Sequence, residues 1–78
     1  MRLRRSREAA CVFNNGASVL AVRVRNLSPT GARIAGEGLL GLPPTVELHI
    51  RDSLGGASGR IARVVWSKPK AAGLEFVD

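Results

Sequence analysis

The stretch Ala9–Asn26, AACVFNNGASVLAVRVRN, decides the fold of this 78-residue chain, because two apolar segments flank an Asn-Asn-Gly turn. Asn-Gly between apolar runs is the strongest short-range signal for a β-hairpin. Ala9–Phe13 is therefore predicted as a first strand and Ser18–Asn26 as the returning strand. In the returning strand Val22 and Val24 alternate with arginines, which predicts one buried face and one basic, solvated face.

The same alternation continues downstream and predicts four more short strands but no helix. These strands are Ala32–Ala35, Thr45–Arg51, Arg60–Ser67 and Ala72–Val77. Turns are predicted over Ser28–Gly31 and Gly55–Gly59, with a loop rich in Gly and Pro over Gly36–Pro44. Six short strands in so small a chain favour an all-β antiparallel barrel, since closure removes exposed strand edges. The predicted organisation is a flexible basic arm over residues 1–8 and a barrel domain over residues 9–78.

Two side chains on these strands have alternative interpretations. Trp66 is expected on the same face as Val64, where it would be a core or rim residue; base stacking is the functional alternative. His49 alternates with buried-type residues and is expected on the outer surface beside Glu47 and Arg51. Neither residue alone defines a site.

The charge of the chain favours an anionic partner. Twelve Lys and Arg residues against six Asp and Glu give a formal charge of +6, and ten of the twelve are arginines. Arg2, Arg4, Arg5 and Arg7 lie within the first seven residues. The planar guanidinium group binds phosphates and guanine edges with two hydrogen bonds and stacks on bases. Nucleic acid is disfavoured as the partner, because the chain has only three aromatic residues and no Tyr.

Residue types needed for catalysis are too few and too scattered to predict an enzyme. One His and one Cys exclude a Cys- and His-rich metal cluster, and no serine follows a nucleophile-elbow pattern. Cys11 stands in an apolar run and is expected to be a small buried residue. A single cysteine forms no internal disulfide, and neither a secretory signal nor a membrane-spanning segment is visible. We therefore expect a cytoplasmic protein with neither a metal nor a cofactor.

The segment Asn26-Leu27-Ser28-Pro29-Thr30-Gly31 lies between two predicted strands. Its composition alone favours an ordinary Asx or Ser turn. The segment nevertheless resembles the second signature of the PilZ family, Asp/Asn-x-Ser-x-x-Gly. Three other stretches are similar to conserved parts of that family in the same order: VFNNGAS, RIARVVW and GLEFVD.

This resemblance implies a six-stranded PilZ-like barrel that binds the bacterial second messenger cyclic di-GMP. Asn26, Ser28 and Gly31 match the second signature, whose residues contact a guanine in the family. The first signature, Arg-x-x-x-Arg on the segment before the first strand, has no match. Two residues separate the arginines of each pair Arg2/Arg5 and Arg4/Arg7, and four separate Arg2 from Arg7.

Two functions therefore remain open from the sequence. In the first, the four arm arginines fold over cyclic di-GMP while Asn26, Ser28 and Gly31 contact a guanine from the barrel. In the second, the domain is a PilZ-like adaptor that has lost nucleotide binding and contacts a protein partner in signalling or motility. The altered arginine spacing is the main support for the second.

Overall fold

Six antiparallel strands close into a barrel in the computed structural model, which describes residues 7–51 and 57–78. The strands are β1 Arg7–Phe13, β2 Ser18–Ser28, β3 Gly31–Gly36, β4 Thr45–Arg51, β5 Ala57–Lys68 and β6 Ala71–Phe76. Around the barrel their order is β1-β2-β3-β6-β5-β4, and the pairing of β4 with β1 closes it. The predicted six-stranded antiparallel β-barrel is confirmed.

The Asn-Asn-Gly turn joins β1 to β2 as the sequence predicted. Asn14, Asn15 and Gly16 have φ angles of 55°, 57° and 87°, in the left-handed region that Asn and Gly tolerate best. The Gly16 N–H donates a hydrogen bond to the Phe13 carbonyl at 3.2 Å, and the Ala17 N–H donates to Asn14 at 3.0 Å. This turn pairs Phe13 with Ser18 and fixes the register of the whole hairpin.

The barrel interior is filled with apolar side chains from alternate positions of the strands. The fully buried ones with the largest volume are Ile34, Leu39, Leu48 and Cys11. Leu39 comes from the predicted loop Gly36–Pro44, which contains one 3₁₀ turn, Leu39–Gly41. Cys11 is buried, as the sequence predicted. This burial raises the pKa of its thiol to about 11.

The first strand begins two residues earlier than predicted. Arg7 pairs with Val24 and Glu8 with Arg23, so these two residues of the predicted arm continue the β1–β2 ladder. The rest of the arm, residues 1–6, lies outside the described residues. The ladder includes Arg7 and Glu8 because their partners Val24 and Arg23 lie within β2, which extends to Ser28.

Gly59 belongs to β5 and is not part of a turn. It pairs with His49 on β4, and a Cβ at Gly59 would lie 2.8 Å from Cε1 of the His49 ring. The histidine therefore lies over the glycine on the outer surface, where the sequence predicted it. Its Nε2 is 2.8 Å from a carboxylate oxygen of Glu47.

Two β-bulges interrupt the alternation of side chains. In β2 the extra residue is Arg25, and in β5 it is Val65. An extra residue turns the side chain that follows it to the opposite face of the strand. The prediction that Trp66 shares a face with Val64 is wrong for this reason. Val64 packs against the core, whereas Trp66 lies on the outer surface and is 39% exposed.

The last residue is held against β5. The Asp78 carboxylate accepts a hydrogen bond from the backbone N–H of Ile61 at 3.0 Å and another from Nε of Arg60 at 2.9 Å. Both bonds favour the ionised carboxylate, so they lower the pKa of Asp78 below its ordinary value. The Arg60 guanidinium also lies 4.2 Å from the centroid of the Phe76 ring.

Candidate functional site

One row of residues on the outer surface crosses four strands next to both bulges. Asn26 on β2 pairs with Arg33 on β3. Arg33 pairs in turn with Gly73 on β6, and Gly73 with Trp66 on β5. Neighbouring strands lie about 4.8 Å apart, so this motif row spans roughly 15 Å. It presents an amide, a guanidinium group and an indole to solvent in one line.

Trp66 lies across the backbone of β6. A Cβ at Gly73 would come within 2.6 Å of Trp66 Cε2 and 2.8 Å of Cδ1, so the five-membered part of the indole fills the space above this glycine. The Lys68 ammonium lies 5.7 Å from the ring centroid, within cation–π range. The indole is thus supported from below and still partly exposed, which is what a stacking platform for a base requires.

Ser28 forms the turn between β2 and β3. The Thr30 N–H donates to the Ser28 hydroxyl at 3.3 Å, and this hydroxyl donates to the Gly31 carbonyl at the same distance. Such local bonds are the usual reason for Ser in a turn. Both are long, so the hydroxyl is held only weakly and stays exposed to solvent.

Gly31 has a structural reason for lacking a side chain. A Cβ there would overlap the carbonyl oxygen of Leu74 and lie 3.3 Å from the Leu74 carbonyl carbon and 3.4 Å from the Glu75 Cα. These are backbone atoms of the neighbouring strand β6. Only glycine therefore permits β3 to pair so closely with β6 at this position. The group that approaches this glycine closely in the structure is therefore the β6 backbone, whereas the family resemblance implied a guanine contact for Gly31.

The motif row borders a shallow groove of about 420 Å³, which we call the motif groove. Its lining includes Asn26, Ser28, Arg33 and Trp66. The volume is within the range of sites that hold small molecules. Arg33 forms no ion pair with a carboxylate in the described part of the chain, whereas Arg63 on the next row binds Glu75. Arg33 is thus the guanidinium group at this groove that is available to an anion.

A family model for the PilZ domain matches residues 2–78. The chain belongs to the PilZ domain family. Domains of this family generally bind cyclic di-GMP and act as binding or effector modules, not as enzymes. No match to the chain was found among curated proteins.

The residues predicted for the site have different positions relative to the motif groove. Asn26 and Ser28 border it directly, and Gly31 lies in its floor. Arg7 begins β1 and pairs with Val24, two positions before Asn26. The other three predicted arginines, Arg2, Arg4 and Arg5, lie outside the described residues.

Sequence reasoning missed Arg33 as a site residue and treated Trp66 mainly as a core or rim residue. Arg33 comes two positions after the signature segment, and in the structure it pairs with Asn26 of that segment. Its closeness to the segment was the sequence signal for a site residue, but the signal has meaning only when the strand pairing is known. Trp66 required knowledge of the bulge at Val65, because regular alternation turns its side chain inward.

Metal-ligating residue types do not cluster in the described part of the chain. Across 7–51 and 57–78 no three His, Cys, Asp or Glu side chains are placed to hold a metal ion. Nor does any helix in these ranges have the length and apolar character needed to cross a bilayer. The polar groups of the motif groove are suited to binding an anionic, planar ligand by hydrogen bonds and stacking.

Proposed function

We propose that this PilZ domain is a receptor for cyclic di-GMP and that the messenger binds in the motif groove. The observation that carries the proposal is the alignment of Asn26, Arg33 and Trp66 in one exposed row. One guanine would stack on the indole, which contributes about 1–3 kcal/mol per base in comparable sites. Arg33 is suited to the two acceptors O6 and N7 of guanine, and the Asn26 amide offers both a donor and an acceptor.

The phosphates would be bound by the arginines of the arm. Arg2, Arg4, Arg5 and Arg7 supply guanidinium groups that bind phosphate with two hydrogen bonds each. Arg7 supports this role because it begins β1 beside the strand that carries Asn26. The signal would be passed on through ordering of the arm over the ligand, which changes the surface that a partner meets.

The experiment uses the fluorescence of Trp66. The chain has one Trp and no Tyr, so its tryptophan emission reports on the motif groove alone. Titration with cyclic di-GMP should quench this emission saturably, and GTP at equal concentration should do so far less. Calorimetry on the same samples gives the affinity independently of the fluorophore.

Substitutions then locate the site. Arg33→Ala should weaken binding roughly tenfold or more, because a hydrogen bond to a charged group contributes about 1.5–3 kcal/mol. Asn26→Ala should weaken it about two- to twelvefold, because a hydrogen bond between neutral groups contributes about 0.5–1.5 kcal/mol. Arg51→Ala is the matched control, since Arg51 is an exposed arginine on β4, away from the groove. Wild-type affinity in both groove variants would refute this site even if the messenger bound elsewhere.

The competing function is an adaptor that binds a protein and no nucleotide. The arginine spacing of the arm, which departs from Arg-x-x-x-Arg, is the observation that favours it. Absence of quenching, together with absence of NMR shifts at millimolar cyclic di-GMP, would refute the receptor, and capture of a specific protein by the chain would then support the adaptor.

A further inference from the structure

A second groove, larger than the motif groove, lies on the outer surface of β4, β1 and β2. Its volume is about 1130 Å³. The centre of its floor consists of small residues from neighbouring strands: Ala10 on β1 pairs with Ala21 on β2. On the other side Ala10 pairs with His49 on β4, which also lines the groove. Small side chains here allow another backbone to approach the sheet closely. We call this surface the alanine groove.

One edge of the alanine groove is apolar: Val19 lines it and belongs to an apolar ridge that continues beyond the groove with Val12, Ile61 and Val77. Val12 on β1 pairs with Val19 on β2 and with Glu47 on β4, and Glu47 pairs with Ile61 on β5. Val77 continues the line, because its N–H donates to the Ile61 carbonyl at 2.9 Å. Val19 is 59% exposed, Val77 53% and Ile61 42%. Glu47 interrupts this line between Val12 and Ile61. Exposed apolar residues that lie close together are typical of a binding surface.

The opposite wall is basic. Its exposed cations are Arg23, Arg25, Arg51 and Lys70, and its exposed acids are Glu8 and Glu37. The cations exceed the acids by two charges. None of these four cations forms an ion pair with a carboxylate in residues 7–51 or 57–78. The wall therefore favours a ligand that brings carboxylates.

The distance between the walls fits an α-helix. Val19 in the apolar ridge and Arg23 in the basic wall are four residues apart on β2, on the same face of the strand. At about 3.3 Å per residue this separates the two walls by about 13 Å. An α-helix with its side chains is about 10–12 Å wide, so a helix can lie between them on the alanine floor.

We propose that the alanine groove docks an acidic amphipathic helix of a partner protein. The apolar stripe of the helix would pack on Ala10, Ala21 and the valines of the ridge, and its carboxylates would face Arg23 and Arg51. This is the helix-in-groove mode of recognition. The proposal requires no nucleotide and does not depend on cyclic di-GMP binding.

Charge argues against the other occupants. The segment before β1 contains Arg2, Arg4 and Arg5, whose like charge disfavours binding beside the basic wall. A second copy brings a net charge of +6, and its described residues contain no α-helix to place in the groove. Nucleic acid would gain from the arginines but would leave the apolar ridge uncovered and would meet Glu8 and Glu37.

The test selects binders from a display library of helix-forming peptides of about 20 residues, longer than the roughly 12–15 residues below which isolated helices are only marginally stable. The full chain is the bait. We expect enriched peptides to be acidic, with apolar residues at a spacing of three and four. Enrichment of basic or uncharged peptides, or no enrichment above an empty-bead control, would overturn the proposal.

Two variants localise the binding of an enriched peptide. Ala21→Trp fills the floor at an exposed position, and Thr45→Trp adds the same bulk at an exposed position of β4 outside the groove. We expect at least a tenfold loss of affinity for the first and no change for the second. If Ala21→Trp fails to fold, Arg51→Glu, an exposed charge reversal in the basic wall, replaces it with the same expected loss.

A duplex DNA of random sequence tests the nucleic-acid alternative. DNA that binds the chain with a steep salt dependence and displaces the selected peptide would favour nucleic acid as the occupant and overturn the proposal. Peptide affinity unchanged in both Ala21→Trp and Arg51→Glu would also overturn it.

Discussion

Replacing Gly31 by alanine tests why this position of the signature is glycine. The added Cβ would overlap the Leu74 carbonyl and crowd two further backbone atoms of β6. A backbone carbonyl within a strand pair has no alternative rotamer, so β3 and β6 must separate locally. We therefore expect Gly31→Ala to destabilise the barrel itself, in addition to any effect on a ligand.

The magnitude follows from two opposing terms. Overpacking a tight site costs about 1–3 kcal/mol, and contact with backbone places this site near the upper value. Replacing Gly by Ala also restricts the unfolded chain, which returns about 0.4–1 kcal/mol. The net loss is about 2 kcal/mol, or a decrease in Tm of roughly 8–16 °C for a domain of this size. A stability of about 4–12 kcal/mol is usual for a chain of this length, so the variant should still fold.

Urea denaturation followed by circular dichroism measures this loss. Gly41→Ala is the matched control, because a Cβ at Gly41 meets no atom within 4 Å. It should leave the free energy of unfolding unchanged or raise it by up to about 1 kcal/mol. A free energy of unfolding for Gly31→Ala within about 0.5 kcal/mol of the wild-type value would refute the packing argument. Contact with a ligand would then be the remaining explanation for glycine at this position.

Three further predictions concern other parts of the domain. Gly73→Ala should displace the Trp66 indole and shift its emission to longer wavelength, and an unchanged emission maximum would contradict this. The loss of stability should be smaller than for Gly31→Ala, because the group in the way is a side chain that is able to move. Cys11, whose burial raises the thiol pKa to about 11, should react with a thiol reagent at neutral pH only after urea unfolds the protein; rapid reaction of the native protein would show that the thiol is accessible. Asp78 has a folded-state pKa below its ordinary 3.8 because of its hydrogen bonds to the Ile61 N–H and then to Arg60. Its stabilising contribution is therefore present above pH 3.8 and is lost as the pH falls through the folded-state value. Asp78→Asn should weaken the dependence of the urea midpoint on pH in the interval from pH 3.8 down to the folded-state pKa, and an identical acid profile in the variant would exclude the effect.

The strands of the barrel could be predicted from the sequence because each has a local signal. Val46, Leu48 and Ile50 alternate with polar residues, and β4 has the predicted bounds Thr45–Arg51. The Asn-Asn-Gly turn fixes the first hairpin in the same local way. Leu39 shows the limit of such signals. It lies in a segment rich in glycine and proline, and it is buried by contacts with β5 and β6. The residues next to it in the sequence give no signal of these contacts.

The candidate site was only partly predictable because it depends on pairing between strands. The signature identified Asn26, Ser28 and Gly31 through the family resemblance, not through their composition. That Arg33 and Trp66 join Asn26 in one row follows only from the register of four strands and two bulges. Neither Arg25 nor Val65 differs in type from an ordinary strand residue, so the sequence does not mark where the alternation breaks.

These bulges also explain how so small a barrel comes to have the motif groove on its outer surface. Six strands enclose too little space for a ligand, and the interior is already filled by side chains such as Ile34 and Leu48. A ligand must therefore bind on the outer surface, and the motif groove lies where the two bulges break the regular alternation of side chains. The extra residue in β5 places an indole there, and Gly73 leaves the space in which that ring lies. The candidate site thus lies at the irregular positions of a regular fold, which is why periodicity predicts the barrel better than it predicts the site.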